Sequence, residues 1–471
     1  MKEDRSLELQ GEALASLIDS AARRIVEHIA SLPSQPSADN RDPAGLARSL
    51  RETLPEAGED SEKLLDLLFS TVIPRSFNTA GPGYLAYIPG GGLPHSAVAD
   101  LIADATNRYV GVFAAAPGLA QIEANVIRWF CAIVGYPESA GGILTTGGSL
   151  SNFSAIVTAR RDRLPGDFRM GTLYVSDQTH HSIQKAASLA GFPEANVREI
   201  ASDERFRIRL DLLSAKVAED RAAGFSPFFL VGNAGTTNTG AVDDLEGLAD
   251  IAKAEGLWLH ADAAYGGFFA LTERGRARLS GIERSDSVVL DPHKSLFLPY
   301  GNGSLLVRDP ETLKRAHALS ADYLPRMQED ADLSDFTLLS PELSRDWRGL
   351  RVWLPVKMHG IGVFRANLDE KLDLAEWAAR ELARIPGVEI LAEPQLSTLA
   401  FRLTRAGLSA RETDALNAAW MEKTNGRGRV YLTATRLAGR FAIRICVLSF
   451  RTHLDRMEAC LEDLRASIAE V

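Results

Sequence analysis

The spacing of apolar residues changes character twice along this chain. Up to about residue 89 it is helical: Leu14, Leu17, Ala21, Ile25 and Ile29 recur at the spacing of one helix face. A second helix fits residues 61–73 and stops before Pro74, and Pro33-Ser34-Gln35-Pro36-Ser37 reads as the loop between them. Two such helices enclose no core, so this segment is expected to pack on the main body or on a partner subunit. From about 90 to 365, helical stretches such as 119–134 alternate with short apolar runs at 173–176, 228–231, 257–260 and 287–290. That alternation predicts a mostly parallel sheet with helices on both faces. From 366 the order becomes helix 371–384, strands 388–391 and 398–403, helix 410–423, strands 430–433 and 441–447, and a closing helix from Leu454. This predicts a small α+β domain. The expected division is therefore 1–89, 90–365 and 366–471.

Length and composition narrow the setting. A chain of 471 residues exceeds one hydrophobic core. Its net charge of -10 leaves no basic footprint for nucleic acid or an anionic membrane surface. Cys131, Cys446 and Cys460 are odd in number and widely spaced, which fits neither a disulfide framework nor a CxxC zinc site. With no signal-peptide pattern and no apolar run near the roughly 20 residues that span a bilayer, a cytoplasmic location is expected. No solenoid-type repeat is present.

Four segments carry candidate chemistry, each at the end of a predicted strand or the start of a helix; open α/β sheets bind ligands outside the carboxyl ends of their strands. Thr145-Thr146-Gly147-Gly148-Ser149-Leu150-Ser151-Asn152 opens a helix. Its glycines allow close backbone approach and its N–H groups and hydroxyls suit a phosphate, although a plain Ser-capped turn has the same look. His180, in Ser176-Asp177-Gln178-Thr179-His180-His181, can stack on a flat heteroaromatic ring or move a proton; it can also be an ordinary loop histidine. The His180-His181 pair lacks a third ligand at useful spacing, so no metal site is expected. Asp262 stands among apolar residues in His260-Ala261-Asp262-Ala263-Ala264-Tyr265. A carboxylate there needs a cation, such as a protonated ring nitrogen, unless it caps a helix. Lys294, in Asp291-Pro292-His293-Lys294-Ser295, follows a strand beside a histidine. Desolvation would favour its neutral, nucleophilic amine, whereas a surface lysine is the plain alternative. Taken in order, these four describe a receptor for pyridoxal 5'-phosphate (PLP): a ring with a phosphate, a basic nitrogen and an aldehyde.

On these motifs the chain resembles the group II PLP-dependent amino-acid decarboxylases, clearly over about 60–365 and more weakly elsewhere. The resemblance implies fold type I, as in aspartate aminotransferase, and a homodimer with active sites at the subunit interface. It implies that Lys294 is the Schiff-base lysine and that Asp262 pairs with the ring nitrogen. Ala264 and His180 would flank the ring, and Ser149, Leu150 and Ser151 would hold the phosphate. Thr237, in Gly235-Thr236-Thr237, would lie near the cofactor hydroxyl and the substrate carboxylate, and His293 close to the cofactor. Tyr323, in Ala321-Asp322-Tyr323-Leu324-Pro325, falls where the family's mobile loop carries a tyrosine into the partner's site; related aldehyde synthases commonly have phenylalanine there.

The implied reaction is decarboxylation of an L-amino acid, with Tyr323, relayed by His180, returning a proton to Cα. Aldehyde synthesis and transamination on the same fold are the alternatives. The substrate side is expected at Tyr87, Ile88 and Phe113, with Val112 nearby, which suits an aromatic or bulky apolar side chain. The family usually has a bulky aromatic where Ile88 and Gly111 stand, often asparagine at Asp291 and tryptophan at Ser295. Asp291 would sit awkwardly near a phosphate and is expected to face a cation or a backbone donor. Arg444 fits a substrate carboxylate or, as the preferred reading, a structural ion pair.

Overall fold

The computed structural model describes residues 7–9, 11–318, 330 and 332–471. Within them, seven strands form the main sheet: β1 (Gly141–Thr145), β2 (Gly171–Ser176), β3 (Val197–Ile200), β4 (Ser226–Asn233), β5 (Trp258–Asp262), β6 (Ser287–Leu290) and β7 (Gly303–Val307). Their order is β1-β7-β6-β5-β4-β2-β3. The pairings from β6 through β5, β4 and β2 to β3 are parallel, whereas β7 runs antiparallel to both β6 and β1. The predicted runs are all present, and each is buried on both faces, as a covered parallel sheet requires: β2 is Gly-Thr-Leu-Tyr-Val-Ser and every residue is buried. One apolar cluster, with Leu230, Leu259 and Phe268, fills one side of this sheet; another, with Leu173, Phe229 and Trp258, fills the other.

A second sheet, β8 (Val388–Ala392), β9 (Thr398–Leu403), β10 (Thr433–Leu437) and β11 (Arg440–Cys446), is antiparallel in the order β10-β11-β9-β8. The helix Ile361–Ala383 crosses the expected boundary at 365/366 without a break. Its first half puts Phe364, Leu368 and Leu372 into the main core, and its second half puts Leu374, Ala378 and Leu382 into the small one.

One strand lies elsewhere than expected. Of the expected strand 430–433, only Thr433 belongs to β10, which begins there. Tyr431 instead bonds the N-terminal segment: its N–H donates to the Gly83 carbonyl and its carbonyl accepts from Leu85 N–H. A backbone pair with a third strand-like segment won over extension of the hairpin, a choice that apolar periodicity does not encode. The second expected N-terminal helix is also modified: Ser61–Leu67 is α-helical and Leu68–Val72 widens into a π turn.

Candidate active site

The parallel strands deliver the chemistry to one edge. β2 leads into His180, β4 into Thr237, β5 ends at Asp262, and β6 leads through Asp291 to Lys294. The helix Gly148–Arg163 begins opposite them, after β1. Between these ends lies a cavity of about 270 Å³. Ser149, Leu150, His180, Thr237, Asp262, Ala264, His293 and Lys294 line it, so eight expected residues converge.

Each is held locally. Asp262 is the last residue of β5 and is 8% exposed. One carboxylate oxygen accepts from the Ala264 N–H at 3.3 Å and the other from Asn152 Nδ2 at 3.3 Å. His180 is positioned by Ser182, whose hydroxyl lies 2.8 Å from Nδ1. Burial lowers the His180 pKa below its ordinary value; the nearby Asp262 charge opposes this and Lys294 reinforces it. His293 is fixed through Nδ1, 2.5 Å from the Asn302 carbonyl. Ser295, where the family often has tryptophan, donates its hydroxyl to the Tyr265 carbonyl at 2.6 Å and ties the lysine turn to β5.

Lys294 differs from expectation. Burial does push its pKa down, but the charges of Asp291 and Asp262 and a hydrogen bond to Asp291 outweigh that, and the net shift is upward. Lys294 Nζ lies 3.0 Å from Asp291 Oδ2, and the Asp291 side chain is 2% exposed. The unliganded lysine is therefore an ammonium in an ion pair, not a free amine. Asp291 faces a cation, as expected, and that cation is Lys294.

Ser151, Tyr87, Ile88 and Phe113 do not line this cavity within one chain. Ser151 is fully buried and bonds the Thr145 hydroxyl at 2.8 Å, bracing the turn from behind. Ile88 joins the main core and Phe113 packs against it. Tyr87 is 56% exposed and holds a left-handed backbone, φ 51°, which is strained for a bulky residue. Its segment passes close behind the lysine turn: a Cβ on Gly90 would come within 2.3 Å of the His293 carbonyl oxygen. Arg444 is buried, and its Nε donates to the Thr237 carbonyl at 2.8 Å. It holds the backbone of a cavity residue and makes no ion pair with a described residue. Tyr323 lies outside the described residues.

Sequence reasoning passed over Asn152, Ser182, Asn233 and Tyr265, which also line the cavity. Asn152 closed the glycine-rich motif and Tyr265 the aspartate motif, so both were in view, but no spacing pattern marks either as a cavity residue. Among the described residues there is no group of three or more metal-ligating side chains, and no helix is long and apolar enough to cross a membrane.

The cavity fits PLP. Gly147 and Gly148 face its phosphate end without side chains; a Cβ on Gly148 would meet Ala264 Cβ at 3.4 Å and Asp291 Oδ2 at 2.9 Å. Ala264 leaves flat space beside His180, Asp262 offers a buried anion for a ring nitrogen, and Lys294 offers an amine for an aldehyde. The fold and the cavity thus define a fold-type-I PLP enzyme.

The chain belongs to the pyridoxal-dependent decarboxylase family, whose conserved domain matches residues 43–404. It is 35% identical over 468 residues to an aromatic-L-amino-acid decarboxylase of Bacillus atrophaeus, covering 99% of this chain and 98% of that one. A crystal structure of Oryza sativa TDC with PLP and tryptamine superposes with a TM-score of 0.93 at 25% identity, covering 99% of both chains. That of Catharanthus roseus tryptophan decarboxylase with L-tryptophan gives 0.92 at 26% identity, covering 99% of this chain and 100% of that one. The protein is a PLP-dependent carboxy-lyase acting on an amino acid.

Proposed function

We propose that this enzyme converts an aromatic L-amino acid to its amine and carbon dioxide, as a cytoplasmic homodimer with shared active sites. The observation that carries the reading is the meeting of Asp262 and Lys294 at one cavity opposite a side-chain-free glycine turn. PLP, when bound, supplies an aldehyde carbon and a ring that takes up the electron pair left when carbon dioxide departs.

The chain supplies the rest. Lys294 tethers the cofactor and later displaces the product. Asp262 holds a proton on the ring nitrogen. Ser149 and Leu150 hold the phosphate, with Ser151 bracing their turn; Ala264 and His180 flank the ring, and His293 closes the lysine side. Thr237, its backbone fixed by Arg444, orients the substrate carboxylate out of the ring plane. Tyr323 is assigned to return a proton to Cα. Ile88, Val112 and Phe113 are apolar, and Tyr87, Ile88 and Phe113 are assigned to the substrate side chain once two chains meet.

The dimer reading is supported by apolar side chains left in water. Leu14, Ile18, Ile25 and Val26 on the first helix are each more than 40% exposed, as are Val98, Leu101 and Ile102 on the helix Pro94–Thr106. Segment 1–89 is assigned to cover the partner, with 90–365 as the cofactor domain and 366–471 as the small domain.

The decisive assay measures carbon dioxide released from each of the twenty amino acids. Release from tryptophan, tyrosine or phenylalanine is expected; release from glutamate or a diamino acid alone would overturn the substrate class. Replacing Tyr323 by Phe tests the assignment against aldehyde synthesis. The variant is expected to consume dissolved oxygen and water and divert product to aldehyde, hydrogen peroxide and ammonia, and exclusive amine formation would remove Tyr323 as the proton donor.

A further inference from the structure

We propose that Asn152, backed by His260, is a positioning residue that fixes His180 as a neutral imidazole with its proton on Nε2. His180 then meets the substrate as a hydrogen-bond donor and not as a base. The inference deepens the decarboxylase reading, because it rests on His180 facing the bound cofactor and substrate.

A buried chain of donors and acceptors runs through Asn152. Asn152 Nδ2 lies 3.3 Å from Asp262 Oδ2 and 2.9 Å from Ser182 Oγ, and its Oδ1 lies 3.0 Å from His260 Nε2. An ionised carboxylate only accepts, so the nitrogen of the amide faces Asp262 and the oxygen faces His260. His260 Nε2 must therefore donate. Its Nδ1, 2.8 Å from Ser287 Oγ, is then the acceptor of the serine proton. Trp258 Nε1, which can only donate, gives its proton to the same Ser287 oxygen at 2.8 Å. Every group in this interior segment is matched once, with His260 neutral. Its burial is complete, and that burial holds its pKa down at about 4 against the opposing charge of Asp262.

The other branch reaches the cavity. Asn152 donates its second amide proton to Ser182 Oγ. A hydroxyl has one proton, and that of Ser182 is left for His180 Nδ1 at 2.8 Å. The backbone N–H of Ser182, which cannot accept, points at the same Nδ1 from 3.3 Å. Two independent donors thus converge on Nδ1. Neutral His180 carries its proton on Nε2, for which no described residue provides a partner. Asn152 sits on the phosphate-side helix, His260 on β5 and His180 after β2, so one amide ties three walls of the cavity together.

Asn152→Asp tests this at constant size. A carboxyl at 152 has no second proton for Ser182 in either ionisation state. The Ser182 hydroxyl then turns toward it, and His180 Nδ1 keeps only the backbone donor. The measurement is the ring-nitrogen NMR shift of 15N-histidine-labelled enzyme, stripped of cofactor and loaded with PLP, with His180 assigned by its loss in His180→Gln. In the unmodified enzyme Nε2 of both His180 and His260 is expected to be protonated. In Asn152→Asp, His180 is expected to become a mixture of tautomers and to titrate about one pH unit higher. The acid limb of kcat/KM should move with it. Ser182→Ala removes the hydroxyl alone, is expected to do the same to a smaller extent, and serves if Asn152→Asp does not fold. Protonated Nδ1 in the unmodified enzyme, or an unchanged His180 tautomer and titration in both folded variants, overturns the proposal. The spectra need no substrate: loss of all carbon dioxide release with the tautomer as stated would sink the decarboxylase reading and leave this one standing.

Discussion

The two walls of the cofactor cavity are built on opposite electrostatic plans. On the β5 wall, Asp262, Asn152, His260, Ser182 and His180 form a chain in which every donor except the His180 Nε2–H has an acceptor among the described residues. On the β6 wall, Lys294 and Asp291 stand as an ion pair with His293 Nε2 3.7 Å from the same carboxylate oxygen, and Asp291 Oδ1 is buried with no hydrogen-bond partner among the described residues. Buried polar groups in finished structures are nearly always satisfied. Apart from that one N–H, the first wall is complete before any ligand arrives. The second is not, because its lysine must exchange an ionic partner for a covalent one. The difference separates the residues that hold geometry from the residue that reacts.

The comparison breaks most completely at its reactive centre. Lys294→Ala is expected to abolish turnover together with the absorption band of the lysine-bound cofactor, read by spectroscopy and carbon dioxide release. Asp262→Ala should follow, with kcat lower by roughly 100- to 1000-fold, the scale of losing one group aimed at developing charge in a water-poor site. Cofactor should still bind covalently in that variant, since Lys294 is intact. Loss of binding and rate together would assign Asp262 to the structure of the site.

A stability measurement sharpens the satisfied wall. His260 is fully buried with its pKa held at about 4, below the ordinary 6.5. As pH falls below 6.5 the unfolded chain takes up this proton first, so stability is lost between about 6.5 and 4. The shift corresponds to at most about 3 kcal/mol. His317, also held at about 4, acts with the same sign, so the difference between enzyme and His260→Gln isolates one residue. Urea unfolding across this window should show the smaller acid loss in the variant, and equal losses would remove His260 from the account.

What could be read from the amino-acid order follows the same division. Lys294, Asp262, Ala264, His180 and Thr237 stand at strand ends in recognisable motifs, and all five line the cavity. Periodicity located four of the five parallel strands because strands buried on both faces are continuous apolar runs. It missed β1, β3 and β7: β1 and β7 each open on glycine, and β3 is a half-exposed edge strand. It also missed the joining of Tyr431 to Gly83 and Leu85, which is set by backbone pairing between distant segments. Asn152 and Ser182 could not be singled out, since their roles exist only once three strand ends meet. The charge state of Lys294 was misjudged for a related reason. Desolvation is legible from apolar neighbours, whereas a carboxylate three residues earlier matters only because the short helix Pro292–Ser295 turns the two side chains together.

Asp291→Asn tests the unsatisfied wall itself. The carboxylate raises the lysine pKa both as a charge and as a hydrogen-bond acceptor, against the effect of burial. A neutral amide of the same shape removes the charge and leaves burial to act, so the pKa must fall. Only the unprotonated amine attacks an aldehyde. Stripped enzyme should therefore take up pyridoxal faster after the substitution, by about tenfold for each unit that the pKa falls, at pH values where the lysine is mostly protonated. Pyridoxal without its phosphate is the informative probe, because PLP adds repulsion between phosphate and Asp291 that the variant also relieves. A larger gain with PLP than with pyridoxal would measure that repulsion separately. If uptake of pyridoxal has the same pH profile in both proteins, Asp291 does not set the charge of Lys294, and the contrast between the two walls is one of hydrogen-bond count alone.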